Sequence, residues 1–271
     1  MNDYVQVEFK KTTSEKNEIL VAHLSENSYN GFEEKDNSLL AFTLKENFKR
    51  SIIDEFSKQM QIEYAVTTIK ETNWNQLWEL SFEPVIIESF CAIRADFHPA
   101  VPNVEYEIII TPKMSFGTGH HATTFMMIEQ MQQINFLHKT VFDFGTGTGI
   151  LSILSEKLGA DKVVAIDHDD LCIENAKENF LSNNCNKIEL IKGSTPDRND
   201  KYDIILANID KKVIIRNLPN MIRQLKKPGT LLLSGLLNAD QLELLTIAFQ
   251  HQLIMDKKTY NNGWVSLKFR L

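Results

Sequence analysis

Residues 141–152 read VFDFGTGTGILS, and this stretch decides the fold. A short apolar run is followed by three glycines, Gly145, Gly147 and Gly149, and then by an apolar segment with helical spacing. Glycine permits a tight turn with positive φ and lets a ligand approach the backbone closely. A strand, a glycine-rich turn and a helix in this order predict a ligand-binding α/β sheet, although the spacing G-x-G-x-G differs from the G-x-G-x-x-G of dinucleotide folds.

Strands and helices alternate from residue 121 onward. The predicted strands are TVFDFG, KVVAID, KIELIKG, YDIILANI and TLLLSG, with helical segments between most of them. The helix predicted over residues 210–226 contains Pro219, which we expect to interrupt it. LIMDKKTY and WVSLKFRL flank NNG and predict a terminal hairpin. The alternation predicts an α/β, doubly wound, mostly parallel sheet of seven strands with antiparallel pairing at one edge.

The first seventy residues form a separate predicted domain. Their apolar patterns indicate strand, helix, strand, strand, helix and strand, the ferredoxin-like order of a small α+β domain, and the strand within GFEEKDN is the weakest of them. Residues 71–84 follow as a linker helix whose Trp74 and Trp78 lie on one face; a ligand site built on these rings is the alternative. Residues 85–271 form the second domain, which begins with two more strands, PVIIESFCAIRADF and VEYEIIITP.

Composition narrows the class of protein. The chain has 271 residues, of which 43% are hydrophobic, enough for one large core or two modest ones. The net charge is −7 and no basic stripe stands out, so direct binding to nucleic acid is not expected. Three widely spaced cysteines fit a reducing compartment. The N-terminus has no signal-peptide pattern and no apolar run reaches the length of a membrane span, so we expect a cytoplasmic protein without membrane association. No unusual apolar repeat appears, so we expect a monomer.

Two polar residues follow predicted strands at the edge where Gly145 lies. Asp167 ends the next strand, 22 positions after Gly145 (167 − 145), where an acid accepts hydrogen bonds from ribose hydroxyls. Asn208 ends the fourth strand of the sheet, and the carboxyl ends of parallel strands meet at one crevice. These positions favour an adenosine-bearing ligand; a tight turn with an exposed acid is the alternative.

Asp143 directly precedes the glycines. A negative charge at this place suits a cationic cofactor better than a pyrophosphate. The chain also has no G-x-x-x-x-G-K-[ST] phosphate loop. A structural cap of the turn is the competing interpretation of Asp143.

FGTG also occurs earlier, in KMSFGTGHHATT at residues 113–124. Together, FGTGHHATT, DFGTGTGILSI, AID and LANI resemble the ribosomal protein L11 methyltransferase family, which belongs to the class I S-adenosylmethionine-dependent methyltransferases. The resemblance covers nearly the whole chain, and the first FGTG element makes it specific. It implies a Rossmann-like methyltransferase domain, S-adenosylmethionine as the cofactor, and ribosomal protein L11 as a basic substrate recognised by residues 1–70.

The resemblance also implies the residues of the site. The cofactor contacts are then Thr124, Gly145, Asp167 and Asn208, with Gly117 and Gly119 on a second lip of the same site and Gly147 and Asp143 at the glycine turn. Free N–H groups at the helix start in HATT would bind the carboxylate of the cofactor. His120 and His121 are adjacent and lack other ligands at a suitable spacing, so packing or capping is favoured over a metal, and no metal is expected.

The implied reaction methylates lysine side chains and an N-terminal amine. Asn208 is the candidate catalytic residue, because its carbonyl can orient the amine without holding a full charge; a strand-end cap is the alternative. Family members commonly carry an apolar residue where this chain has Asp210, which is interpreted here as an N-cap or as a carboxylate that receives a substrate lysine.

The sequence also leaves other substrates and other functions as alternatives. The substrate could be another protein or a nucleic-acid base, although NID lacks the prolines and the aromatic stacking surface of enzymes that methylate bases. A nicotinamide-dependent oxidoreductase and a catalytically silent binding module are further alternatives.

Overall fold

The computed structural model describes residues 3–29, 31–35, 37–69, 82–113, 117–196 and 199–271. The chain divides into two compact units, residues 1–81 and 82–271. The predicted linker helix with Trp74 and Trp78 lies outside the described residues. None of the helices in the described ranges is both long enough and apolar enough to cross a membrane.

The first unit is an antiparallel sheet packed against two helices. Its elements are β1 (Tyr4–Lys10), α1 (Ser14–Glu26), β2 (Gly31–Lys35), β3 (Ser38–Leu44), α2 (Arg50–Met60) and β4 (Glu63–Ile69), and the strand order is β2-β3-β1-β4. Alternate residues of β1, namely Val5, Val7 and Phe9, are buried in one cluster with Leu20 and Ile53. The order of elements agrees with the sequence prediction, including the strand in GFEEK.

The second unit opens with a small sheet of three strands, β5 (Val85–Ile87), β6 (Cys91–Ala95) and β7 (Tyr106–Ile110). The sequence predicted two strands here. A turn at Glu88, whose φ is 49°, splits the first of them into the antiparallel pair β5 and β6. β7 pairs with β6 in parallel. Phe82, which the sequence placed in the linker, is buried in the core of this unit.

The remaining elements build the large sheet and its helices. They are α3 (Ala122–Met131), β8 (Thr140–Phe144), α4 (Ile150–Lys157), β9 (Lys162–Asp167), α5 (Asp170–Ser182), β10 (Ile188–Lys192), β11 (Tyr202–Asn208), α6 (Lys211–Gln224), β12 (Leu225–Leu237), α7 (Gln241–Gln250), β13 (Ile254–Asn261) and β14 (Trp264–Arg270).

The large sheet has the strand order β10-β9-β8-β11-β12-β14-β13. The five strands from β10 to β12 pair in parallel, and β14 and β13 pair antiparallel at one edge. This confirms the predicted seven-stranded, mostly parallel sheet. From β8 the chain passes to β9 and β10 on one side and then to β11 and β12 on the other. The switch point therefore lies between β8 and β11, where open α/β sheets bind ligands.

Both faces of this sheet are covered. Along β11, Ile204 and Leu206 are buried in one cluster with residues of α3, α4 and α5, and Ile205 and Ala207 in another with residues of α6 and α7. Helix α6 runs through Pro219, so the predicted interruption is wrong. Leu218, Met221 and Ile222 are buried on both sides of the proline, and this packing holds the helix together despite one lost backbone hydrogen bond.

Candidate active site

The glycine loop of residues 145–149 joins β8 to α4 at the carboxyl end of the sheet. Its three glycines have φ values of 79°, 55° and 82°. A Cβ on Gly145 would lie 2.1 Å from Cγ2 of Ile209. The N–H groups of Gly145 and Thr146 both donate to the carbonyl of Ile166, at 2.9 and 3.0 Å. The loop is therefore held against the end of β9 and requires glycine where it passes Ile209.

Asp143 lies beneath this loop and is fully buried. Its Oδ2 accepts hydrogen bonds from the hydroxyls of Thr146 and Ser152, both at 2.7 Å. Burial raises the pKa of Asp143 to about 6, and the two hydroxyl donors oppose this rise. Asp143 thus makes the contacts of a structural cap, and it is not among the described residues that line the cavity.

Two N–H groups of the loop already have acceptors within the protein and are not free to bind a phosphate. The N–H of Gly147 donates to Oδ2 of Asp167 at 2.9 Å, and that of Gly149 to the carbonyl of Thr146 at 2.9 Å. Because Ser152 lies in the first turn of α4, the Asp143 carboxylate sits near the helix N-terminus, which attracts anions. In dinucleotide folds the pyrophosphate binds at this helix N-terminus. The arrangement disfavours a dinucleotide ligand.

Asp167 ends β9 and is only 7% exposed. Its Oδ1 accepts hydrogen bonds from the backbone N–H groups of His168 at 2.7 Å and Asp169 at 3.1 Å. Together with the bond from Gly147, these contacts fix the direction of the carboxylate. Each oxygen of a carboxylate can accept more than one hydrogen bond, so Asp167 keeps acceptor capacity for hydroxyl groups in the cavity.

Asn208 ends β11 on the other side of the switch point. Its Nδ2 donates to Oγ1 of Thr124 at 3.2 Å, which links β11 to the first turn of α3. Its Oδ1 is buried and has no hydrogen-bond partner among the described residues. A buried carbonyl oxygen without a partner is costly, so this atom is suited to receive a donor from a bound molecule.

Ile209, the residue after Asn208, lies between two glycines, Gly145 and Gly235. Gly235 has a φ of 94°, and a Cβ there would lie 2.1 Å from the carbonyl oxygen of Ile209. Gly145 meets the side chain of Ile209 from the other side. The N–H of Ile209 donates to the carbonyl of Ser234 at 3.2 Å. Glycine at both positions therefore lets the chain after Asn208 pass between β8 and β12.

The first FGTG segment contacts the second directly. Oγ1 of Thr148 donates to the carbonyl of Gly117 at 2.7 Å. Gly117 and Gly119 have φ values of 108° and 91°. A Cβ on Gly119 would lie 2.6 Å from Cδ1 of Ile93, so this glycine packs against the small sheet. The two copies of the tetrapeptide are thus adjacent in space, as predicted.

Both histidines of the HHATT stretch make packing or capping contacts. His121 is the N-cap of α3, and its Nδ1 accepts from the N–H of Thr123 at 3.3 Å. The His121 ring packs edge-on against Trp264, and the His120 ring packs edge-on against Phe82. No cluster of three or more potential metal ligands occurs within the described ranges.

Asp210 caps the N-terminus of α6. Its Oδ1 accepts from the N–H of Lys212 at 2.8 Å, which confirms the capping interpretation. Asp210 also lines the cavity described next.

A cavity of about 680 Å³ lies at the carboxyl ends of these strands. Of the sequence-predicted residues, Gly145, Gly147, Asp167 and Asn208 line it. The described lining does not include Thr124, Gly117 or Gly119. Thr124 is linked to the cavity by its hydrogen bond to Asn208.

Sequence reasoning missed several lining residues, including Gly235, Ile209, Trp264, Ser194, Thr195 and Cys172. A signal was present for Gly235, Ser194 and Thr195, because they follow or end parallel strands at the same edge. No local pattern marks Trp264 or Cys172, which the hairpin and α5 bring to the cavity.

The strand order and the site at the switch point define a class I methyltransferase fold. A solved precorrin-6y C5,15-methyltransferase from Geobacter metallireducens GS-15 shares this fold, with a TM-score of 0.50 and 11% identity over 56% of this chain and 89% of that chain. A solved ribosomal protein L11 methylase from Lactobacillus delbrueckii subsp. bulgaricus is more similar, with a TM-score of 0.64 and 28% identity over 69% of this chain and 98% of that chain.

The chain belongs to the ribosomal protein L11 methyltransferase family. The family model for ribosomal protein L11 methyltransferase (PrmA) matches residues 3–271. The ribosomal protein L11 methyltransferase of Porphyromonas gingivalis is 35% identical over 260 residues, which cover 93% of this chain and 90% of that protein. That of Chlorobaculum parvum is 33% identical over 264 residues, covering 92% and 90%.

Proposed function

We propose that this protein transfers methyl groups from S-adenosylmethionine to lysine and N-terminal amines of ribosomal protein L11. One observation carries the proposal: Asp167 and Asn208 line one cavity from opposite sides of the switch point, and Asn208 has a buried amide oxygen without a partner among the described residues. Membership of the family supports the substrate.

The residues of the cavity fit this cofactor. The Asp167 carboxylate is fixed by three backbone N–H groups and keeps acceptor capacity for the two ribose hydroxyls. Gly145 lines the cavity and lets the loop pass close to Ile209, where a side chain would collide. Asp143 adds a buried acidic group below the loop, which favours a cationic ligand over a phosphate. When bound, S-adenosylmethionine supplies a methyl group already activated by its sulfonium.

The protein then has to align a neutral amine. A lysine with a pKa of about 10.4 costs roughly 4–5 kcal/mol to deprotonate at neutral pH. Burial beside a positive charge lowers that cost, because it disfavours the ammonium form. Oδ1 of Asn208 would accept a hydrogen bond from the amine and direct its lone pair, and alignment of this kind is worth up to about 7–11 kcal/mol. No side chain of the site has to act as a strong base.

The test is to locate the transferred methyl group. Purified ribosomal protein L11 and ribosomal RNA are each incubated with the protein and S-adenosylmethionine labelled in its methyl group, and the products are mapped by mass spectrometry. We expect label on lysine and N-terminal amines of L11 and none with the Asp167→Ala variant. Label on the RNA, or none on L11, would contradict the proposal.

A further inference from the structure

Two asparagines on α5 and a third at its C-cap hold the backbone that leads into the first FGTG segment. Asn175, Asn179 and Asn183 follow each other at intervals of four residues, which places them on one face of the helix. This face lies against the end of β7, the edge strand of the small sheet. Each asparagine side chain bonds backbone groups of that strand or of the residue just after it.

The contacts resemble the pairing of two strands. Asn183 accepts from the N–H of Ile109 at 3.0 Å and donates to its carbonyl at 2.6 Å. One turn earlier, Oδ1 of Asn179 accepts from the N–H of Thr111 at 2.8 Å. Nδ2 of Asn175 donates to the carbonyl of Thr111 at 3.1 Å. A side-chain amide offers the same donor and acceptor as a peptide group, so the helix satisfies the open edge of β7.

Asn179 differs from its neighbours in its second contact. Its Nδ2 donates to the carbonyl of Thr148, in the second FGTG segment, at 2.8 Å. Oγ1 of Thr148 in turn donates to the carbonyl of Gly117, in the first segment, at 2.7 Å. Asn179 and Thr148 are both fully buried, and the bond between them is shielded from water. One amide therefore joins the strand that enters the first FGTG segment to the loop of the second.

We infer that Asn179 is a positioning residue that sets the distance between the two FGTG segments and thereby the affinity for S-adenosylmethionine. The inference rests on the proposed function, because it concerns the same cavity. Asn179 itself is not among the described residues that line the cavity, so it acts through Thr148 and the loop. Without its amide, the buried carbonyl of Thr148 loses a donor and the glycine loop loses its link to residue 111.

Asn183→Ala is the matched control. It removes the bonds to Ile109 in the same row of asparagines but leaves the contact between Asn179 and Thr148 in place. If the row served stability alone, Asn179→Ala and Asn183→Ala would both lower the unfolding temperature and leave the affinity for the cofactor unchanged. A positioning role requires that only Asn179→Ala changes the affinity.

The experiment measures the Kd of S-adenosylmethionine by calorimetry, well below the unfolding temperature, for the unsubstituted protein and both variants. We expect Asn179→Ala to raise Kd about tenfold and Asn183→Ala to change it less than twofold. Thr148→Val removes the bond to Gly117 without removing bulk, and we expect it to raise Kd as well. Thr148→Ser keeps the hydroxyl and should restore most of the affinity. If Asn179→Ala does not fold, the Kd values of Thr148→Val and Thr148→Ser test the positioning role instead.

The outcomes distinguish a failure of the positioning role of Asn179 from a failure of the proposed function. Equal Kd values for Asn179→Ala, Thr148→Val and the unsubstituted protein would overturn the positioning role and leave the proposed function intact. An unsubstituted protein that does not bind S-adenosylmethionine would overturn both. The double variant Asn179→Ala/Thr148→Val should raise Kd by less than the product of the single effects, because both changes break one linkage.

Discussion

Nδ2 of Asn208 donates a hydrogen bond to Oγ1 of Thr124, and Oδ1 of Asn208, a residue that lines the cavity, is a buried acceptor without a partner among the described residues. In this orientation of the amide, the oxygen is the end left without a partner in the described part of the chain. Thr124 is 1% exposed and is linked to the cavity through this bond to Asn208. The pair connects the helix that follows the first FGTG segment with the end of β11.

Removal of the Asn208 amide should slow methyl transfer more than it weakens cofactor binding. For Asn208→Ala we expect kcat to fall about a hundredfold, because the amine loses the acceptor that orients it. For Asn208→Asp we expect activity to shift to higher pH, because a carboxylate stabilises the protonated amine. The fall in kcat and the shift in pH dependence are both measured from pH–rate profiles with ribosomal protein L11 as the substrate. Asn186→Ala, on the exposed surface, is the control, and a kcat for Asn208→Ala equal to that of the control would contradict the assigned role.

A side chain at Gly235 should displace Asn208. In Gly235→Ala the new Cβ would lie 2.1 Å from the carbonyl oxygen of Ile209, at a φ of 94° that alanine rarely adopts. We expect a loss of about 1–3 kcal/mol in the free energy of unfolding and a fall in kcat from the displaced strand end. Gly263→Ala has a similar φ of 80° but nothing within 4 Å of its Cβ. This control carries the backbone strain without the collision, so equal loss of activity in both variants would refute the steric argument.

The buried Asp143 should make stability depend on pH. Burial raises its pKa from 3.8 to about 6 in the folded protein. A raised pKa contributes stability that is fully present below about pH 4 and is lost as pH rises through about 6. Asp143→Asn removes this dependence, so the free energy of unfolding of the variant should rise relative to the unsubstituted protein by about 3 kcal/mol between pH 4 and pH 7. Urea unfolding at several pH values measures the difference.

Asp203 is a control, because its pKa is shifted in the opposite direction to that of Asp143. Burial works against its ionised form, but hydrogen bonds from Lys226 and Thr140 lower its pKa to about 2. Its contribution to stability is therefore present above about pH 4 and is lost as pH falls through about 2. Asp203→Asn should then be less stable than the unsubstituted protein at pH 7. The same pH trend in both variants would show that the assigned environments are wrong.

The three cysteines should react at different rates, and the cofactor should protect one of them. Cys172 lines the cavity and is partly exposed. Cys91 is fully buried, and burial raises the thiol pKa of Cys91 and of Cys185 to about 12, which leaves little reactive thiolate. With iodoacetamide at pH 8, we expect Cys172 to be alkylated first and S-adenosylhomocysteine to slow this reaction. Peptide mapping that finds Cys172 unprotected would place the ligand elsewhere.

Strand ends could be predicted from the sequence because parallel strands bring their carboxyl ends to one edge. This rule predicted Gly145, Asp167 and Asn208 as site residues, and all three line the cavity. The rule does not predict a role for Asn179, because its hydrogen-bond partners Thr111 and Thr148 are 68 and 31 positions away along the chain. Trp264 was missed for the same reason, since its neighbour His121 comes from a distant helix.

Local signals also failed where packing outweighs them. Pro219 is a helix breaker by its chemistry, yet the buried residues around it keep α6 continuous. The turn at Glu88 was missed because ESF carries neither glycine nor proline. Asp143 was assigned two roles of equal weight, and only its contacts with Thr146 and Ser152 show that it supports the loop from below.

The central claim is that one cavity binds a sulfonium nucleoside through Asp167. Calorimetric titration of S-adenosylmethionine and of NAD into the unsubstituted protein and into Asp167→Ala tests it most directly. We predict binding of S-adenosylmethionine, no binding of NAD, and a Kd at least about a hundredfold higher in Asp167→Ala, because hydrogen bonds to a charged group are worth about 1.5–3 kcal/mol each. Binding of NAD, or an unchanged Kd for S-adenosylmethionine in Asp167→Ala, would contradict the claim.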